Sequence, residues 1–251
     1  MQRISRKIVL SFLITAAIVV AGLRSYENLE NFIWMSAVTV GLVAAGNLFE
    51  LRKVAVDAEG FWPAVLPVLY LIGLMGTVAA SSTSYVRVGV VVIGAYIFYA
   101  YQRGFPNRVP QFLEDTFSML GTFFFLVFVW SLNFFFSLSI PGWALMLGVA
   151  TAFFLNFRQL FYKLGIFARR GSIYALLCAL VMAQVTWAIL YWPVNFLTAS
   201  VTSFTLYYLI YTLGTLHFRQ NLNRDKLYFQ IAIILVVLLF SLISSPWRPV
   251  L

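Results

Sequence analysis

The chain has 251 residues, of which 62% are hydrophobic and 10% charged, with a formal net charge of +9. A soluble domain carries about 25% charged residues, and no core formed by a chain of this length hides so much apolar surface from water. Soluble enzymes, disordered tails, coiled coils and disulfide scaffolds are excluded, leaving an all-α polytopic bundle in a membrane, with no soluble domain expected over residues 1–251.

A membrane helix needs about 20 apolar residues. Nine segments approach that length: 8–23, 31–49, 61–80, 86–101, 113–138, 142–157, 172–192, 196–216 and 228–244. The first follows Arg3, Arg6 and Lys7, the pattern of a secretory signal. No small-x-small cleavage site stands before Arg24, so the segment is expected to stay as an uncleaved anchor. The second carries Ala37, Gly41 and Ala45 at four-residue spacing. Such stripes let helix backbones approach closely. The third opens on Pro63 and holds Pro67, which removes a backbone hydrogen bond and favours a kink, with Gly73 and Gly76 beyond it.

The fourth segment is the weakest, because Arg87 stands near its start. Charge placement argues for keeping it. With the N-terminus inside and nine spans, fourteen of the 17 basic residues fall on the cytoplasmic side, leaving Arg24, Arg87 and Arg248 outside. Without the fourth span, the later basic loops would move to the wrong side. The expected topology is therefore N-terminus in and C-terminus out, in a bacterial-type cytoplasmic membrane.

The fifth segment begins with Glu114–Asp115 and continues through Phe123, Phe124, Phe125, Phe128, Trp130, Phe134, Phe135 and Phe136. The acid pair suits the positive end of a helix, and the aromatics suit packing or lipid contact. The sixth carries Ala144, Gly148 and Ala152, and the seventh Ala175, Ala179 and Ala183. All three small-residue stripes are expected to pack within the chain, with homo-oligomerisation as the alternative. Between these two segments, Arg158, Lys163, Arg169 and Arg170 interleave with Leu160, Phe161, Leu164 and Phe167. This stretch reads equally as a basic loop or as a short amphipathic helix on the inner leaflet. In either form these four residues are candidates for anionic-lipid contact. Pro141–Gly142 and Pro193 mark tight outer turns. Trp34, Trp143, Trp192 and Trp247 fall at the outer interface and Trp62 at the inner one, as an aromatic belt requires.

The eighth segment has the densest polar pattern. Thr198, Thr202, Thr205, Tyr208, Thr212 and Thr215 recur at three- and four-residue spacing and form one helical stripe. With Gln184 on the seventh segment, Thr198, Thr202, Thr205, Tyr208 and Thr212 are the candidate lining of a polar cavity. Hydroxyls that bond their own helix, or join neighbouring helices, are the more economical expectation. Leu155–Gln159 reads Leu-Asn-Phe-Arg-Gln, and Leu216–Gln220 echoes it as Leu-His-Phe-Arg-Gln. Interfacial aromatics followed by arginine account for the echo without a duplication.

Chemistry is constrained mostly by absence. One cysteine, Cys178, and one histidine, His217, cannot build a Cys- or His-rich metal site, so no metal and no cofactor are expected. The zinc-protease, serine-hydrolase and phosphate-loop signatures are missing. All eight acidic residues fall at loops or interfaces, which argues against a carboxylate proton relay. Glu114, Asp115 and His217 are the weak candidates for acid–base work at an interface. Basic residues without a polar domain offer nucleic acid no groove, so the expected partners are the lipid bilayer and a second copy or another membrane protein. The leading expectation is a non-enzymatic membrane component or assembly subunit. A carrier for an uncharged or lipid-like solute comes second, and an interfacial lipid-active enzyme third.

Overall fold

The computed structural model describes residues 29–52, 62–81, 83–105, 109–136, 140–166, 168–220 and 223–244. These form eight helices: α1 (Leu29–Arg52), α2 (Trp62–Ala80), α3 (Ser84–Gly104), α4 (Gln111–Phe136), α5 (Gly142–Lys163), α6 (Ala168–Leu190), α7 (Phe196–Phe218) and α8 (Arg224–Ser244). No strand occurs among the described residues. The segment 8–23 lies outside them. Six helices, α2 to α7, are long and apolar enough to cross a membrane. In α1 the uninterrupted apolar stretch is shorter, Ile33–Phe49. The chain divides into two compact units, residues 1–128 and 129–251.

In the first unit, α2 is the central helix. Gly73 lets it cross α4 at backbone distance, since a Cβ there would collide with the Phe125 backbone. Gly121 on α4 likewise leaves room for Tyr70, whose ring atoms begin 3.0 Å from where its Cβ would stand. Across this crossing the Thr77 hydroxyl donates to the Phe124 carbonyl at 2.9 Å. Tyr70 donates to the Gly94 carbonyl on α3, also at 2.9 Å. Phe117 lies between Tyr70 and Tyr101, stacked on each with ring centroids 4.1 and 4.0 Å apart. A stacked aromatic core tied by hydroxyl-to-carbonyl bonds holds three helices together without help from a hydrophobic effect, which lipid does not supply.

The segment containing Arg87 is a full helix. Arg87 stands in the first turn of α3, and its Nε and Nη2 both donate to the Ser81 carbonyl just past α2. The cation thus closes the α2–α3 turn instead of entering the apolar part of the helix.

The second unit corrects the reading of 158–170. Residues 158–163 continue α5 and 168–170 open α6, so the described part of this stretch is two helix ends and a tight turn, not one basic loop or a separate surface helix. Helix α5 runs six residues past the expected boundary at 157, to Lys163, and α6 already begins at Ala168. Between them, Gly165 adopts φ +74°, Gly165 N donates to Tyr162 O and Ile166 N to Phe161 O. This paired closure is the Schellman motif, in which a left-handed glycine satisfies the last carbonyls of a helix. The apolar Leu160 and Phe161, both buried, explain why the helix continues past Arg158.

Of the small-residue stripes, Ala175, Ala179 and Ala183 are buried on α6. Ala37, Gly41 and Ala45 are exposed among the described residues. Ala144 is half-buried, Gly148 exposed and Ala152 buried. Trp34 and Trp143 are exposed, as a lipid-facing belt requires, whereas Trp130 is buried.

Candidate functional site

The polar residues of the second unit gather in two places, along α7 and at the end of α5. The N-terminus of α7 is set by Asn195, whose Oδ1 accepts from Thr198 N at 2.8 Å. Beyond this cap, at about 100° per residue, Thr198, Thr202 and Thr205 share one face. Ser200, Ser203, Tyr207 and Tyr211 take the opposite one. Both sets are buried, so α7 is enclosed on two sides.

Several of the α7 hydroxyls are engaged by the protein itself. Ser200 donates to Phe196 O at 2.6 Å, Thr205 to Val201 O at 2.7 Å and Thr215 to Tyr211 O at 2.8 Å. On α6, buried Thr186 donates to Met182 O at 2.8 Å. These are bonds to the preceding turn of the same helix, which let a polar side chain sit in an apolar interior. One bond crosses between helices: the indole N–H of Trp130 on α4 donates to Ser203 Oγ at 3.0 Å. The Tyr207 ring lies 5.4 Å from Phe153 and 5.3 Å from Phe157, which fixes α5 against α7. Thr202 Oγ1 is buried and finds no hydrogen-bond partner.

The end of α5 holds Asn156, Arg158 and Gln159, all buried. Arg158 is 2% exposed, and its Nε donates to Ser172 Oγ on α6 at 3.2 Å. Its Nη1 stands 3.1 Å from where a Cβ of Gly171 would be, so the glycine makes space for the guanidinium. Gln159 is also 2% exposed, and neither its Oε1 nor its Nε2 has a hydrogen-bond partner.

The structure gathers the sequence candidates only in part. Thr198, Thr202 and Thr205 lie together on α7, whereas Tyr208 and Thr212 are half-buried and Gln184 is exposed on α6. Among the lipid-contact candidates, Arg169 and Arg170 are exposed and Lys163 is half-buried, but Arg158 is covered by its own hairpin. Glu114 and Asp115 are half-buried in the first unit, at the start of α4, where Glu114 N donates to Pro110 O. His217 is exposed in the last turn of α7, in the second unit. Cys178 is half-buried on α6. Among the described residues no three His, Cys, Asp or Glu side chains come together as metal ligands.

Sequence reasoning overlooked the second face of α7 and the burial of Arg158 and Gln159. The first was signalled by Ser200, Ser203, Tyr207 and Tyr211 at three- and four-residue spacing. The second was signalled by apolar residues continuing past Arg158. Neither cluster contains a carboxylate or an imidazole. Their side chains can donate and accept hydrogen bonds, but they supply no proton-transfer group working near neutral pH. Comparison with protein-family models, curated proteins and solved structures finds nothing that matches this chain.

Proposed function

We propose that this protein is a non-enzymatic integral membrane component that works as a subunit of an assembly, with a second copy or another membrane protein as its partner. In this reading the chain crosses a bacterial-type cytoplasmic membrane nine times. The segment 8–23, α1 and α8 join α2 to α7 as spans, and the N-terminus is cytoplasmic. The observation that carries the functional part is the engagement of the Ser200, Thr205 and Thr215 hydroxyls by their own helix and of Ser203 by Trp130. Side chains used this way knit a bundle together and leave little polar surface for a solute.

A second reading, a carrier for an uncharged or lipid-like solute, is favoured by Thr202 and Gln159. Their buried polar atoms have no protein partner. A buried polar group costs about 1–3 kcal/mol when unsatisfied, so a solute or water would be welcome there. Cysteine substitution separates the two. In a Cys178→Ala background, Thr202→Cys and Thr205→Cys stay inert to small aqueous thiol reagents if α7 is a packing element. The purified protein then also runs as a stable oligomer or retains a membrane-protein partner. Labelling at Thr202→Cys, together with solute movement by a reconstituted monomer, would establish the carrier and end the subunit reading.

A further inference from the structure

We propose that one end of the 129–251 unit, built from the C-termini of α5 and α7 and the N-termini of α6 and α8, is a binding surface for anionic phospholipid headgroups. An aromatic trio draws three of these helix ends together. Phe161 on α5 lies 5.5 Å from Phe218 on α7 and 5.8 Å from Tyr174 on α6, and Tyr174 lies 5.3 Å from Phe218. Helix α8 starts only six residues after α7 ends.

At or next to these four helix ends stand Lys163, Arg169, Arg170, Arg219, Arg224 and Lys226. All are exposed except the half-buried Lys163. The only acidic residue in the whole unit, Asp225, lies among them, so the end carries a net charge of +5. Residues 137–157, 173–216 and 227–247 contain no Lys, Arg, Asp or Glu. Within α5 to α8 the cationic residues are therefore confined to one end.

The connections at this end are too short to lift those charges far from the helices. Four residues join α5 to α6 and five join α7 to α8. Immediately beyond the cations come exposed apolar and aromatic side chains: Ile173, Tyr174 and Leu176 on α6, and Tyr228, Phe229 and Ile231 on α8. Cations at helix ends beside an exposed apolar wall match a lipid, with its phosphate at the ends and its acyl chains along the wall. An acidic protein would need a surface standing clear of the bilayer, and connections of this length provide none. Arg158 takes no part, because the α5–α6 hairpin encloses it.

The inference rests on the membrane placement proposed above, and the test keeps the two apart. The purified full chain is reconstituted with spin-labelled phosphatidylglycerol or spin-labelled phosphatidylcholine, and the motionally restricted fraction gives their relative association. The expected result is a preference of roughly fivefold or more for phosphatidylglycerol, the worth of about one basic group near an anionic surface, falling as salt is raised. The combined Arg169→Gln, Arg170→Gln, Arg219→Gln and Arg224→Gln variant brings the two lipids to near equality. The Arg103→Gln, Arg108→Gln variant keeps the preference. Circular dichroism identifies a folded variant, and if the fourfold change does not fold, the exposed pair Arg169→Gln, Arg170→Gln is used and lowers the preference part of the way. Equal association of both lipids with the unaltered protein overturns the proposal, as does an equal loss in the Arg103 and Arg108 variant. Failure of the membrane reading shows separately, as a chain recovered outside the membrane fraction.

Discussion

Two residues with positive φ close the turns after α5 and α7 in different ways. Gly165, at φ +74°, ends α5 without steric cost, because it has no Cβ. Gln220, at φ +56°, does the same work after α7 with a full side chain. Its N–H donates to His217 O at 3.0 Å while Arg219 N donates to Thr215 O at 3.1 Å, so the helix end is satisfied but strained. A left-handed non-glycine residue costs about 1–2 kcal/mol. Gln220→Gly is therefore expected to stabilise the protein by up to about 1 kcal/mol, after allowing for the extra freedom of the unfolded glycine. Gly165→Ala is expected to destabilise it by a similar amount. Unfolding in mixed micelles measures both, and a loss of stability in Gln220→Gly would sink the argument. The first of these turns was hidden in the sequence because Arg158 looked like the end of a span. Charge is a sound marker of an interface only where no neighbouring helix can cover it, and Gly171 and Ser172 cover this one.

At the scale of helices, the apolar segments after the first all correspond to a described helix, while their ends shifted by up to six residues. Hydropathy reports where a helix is greasy and says little about where its hydrogen bonds stop. Partners were harder still. The stripe Ala175, Ala179 and Ala183 is buried as expected, yet the similar stripe on α1 is exposed among the described residues. Spacing alone shows that a close approach is allowed, and the facing helix decides whether it occurs. The α2–α4 crossing is where such an approach is closest. A side chain at Gly73 would strike the backbone of Phe125, which cannot swing aside as a side chain can. Gly73→Val is expected to cost at least about 1–3 kcal/mol, the usual range for overpacking, and to separate the Thr77–Phe124 bond. Gly148→Val, at a position with nothing within 4 Å, should be nearly neutral. The comparison is read from folded yield and thermal unfolding, and equal behaviour of the two variants would contradict the crossing.

Across the whole molecule, the proposed topology would account for the excess of positive charge as an orientation signal. Reporter fusions test this reading directly. A reporter active only outside the membrane should be active after Ser81 or Ile140 and silent after Val109 or Gln220. The reverse pattern would invert the topology, and activity after both Ser81 and Val109 would remove α3 as a span. The polar faces of α7 were half legible in the same way. The threonine repeat was plain, but its role was not, since a hydroxyl bonded to its own helix and one lining a cavity look alike in sequence. The geometry of Trp130 and Ser203 separates them, and that contact joins residues 73 positions apart. The concealment of Arg158 also ties its solvation to chain order: the guanidinium leaves water only when Gly171 and Ser172, thirteen and fourteen residues later in the chain, have folded back over it, so closing the α5–α6 hairpin and burying this charge are one event.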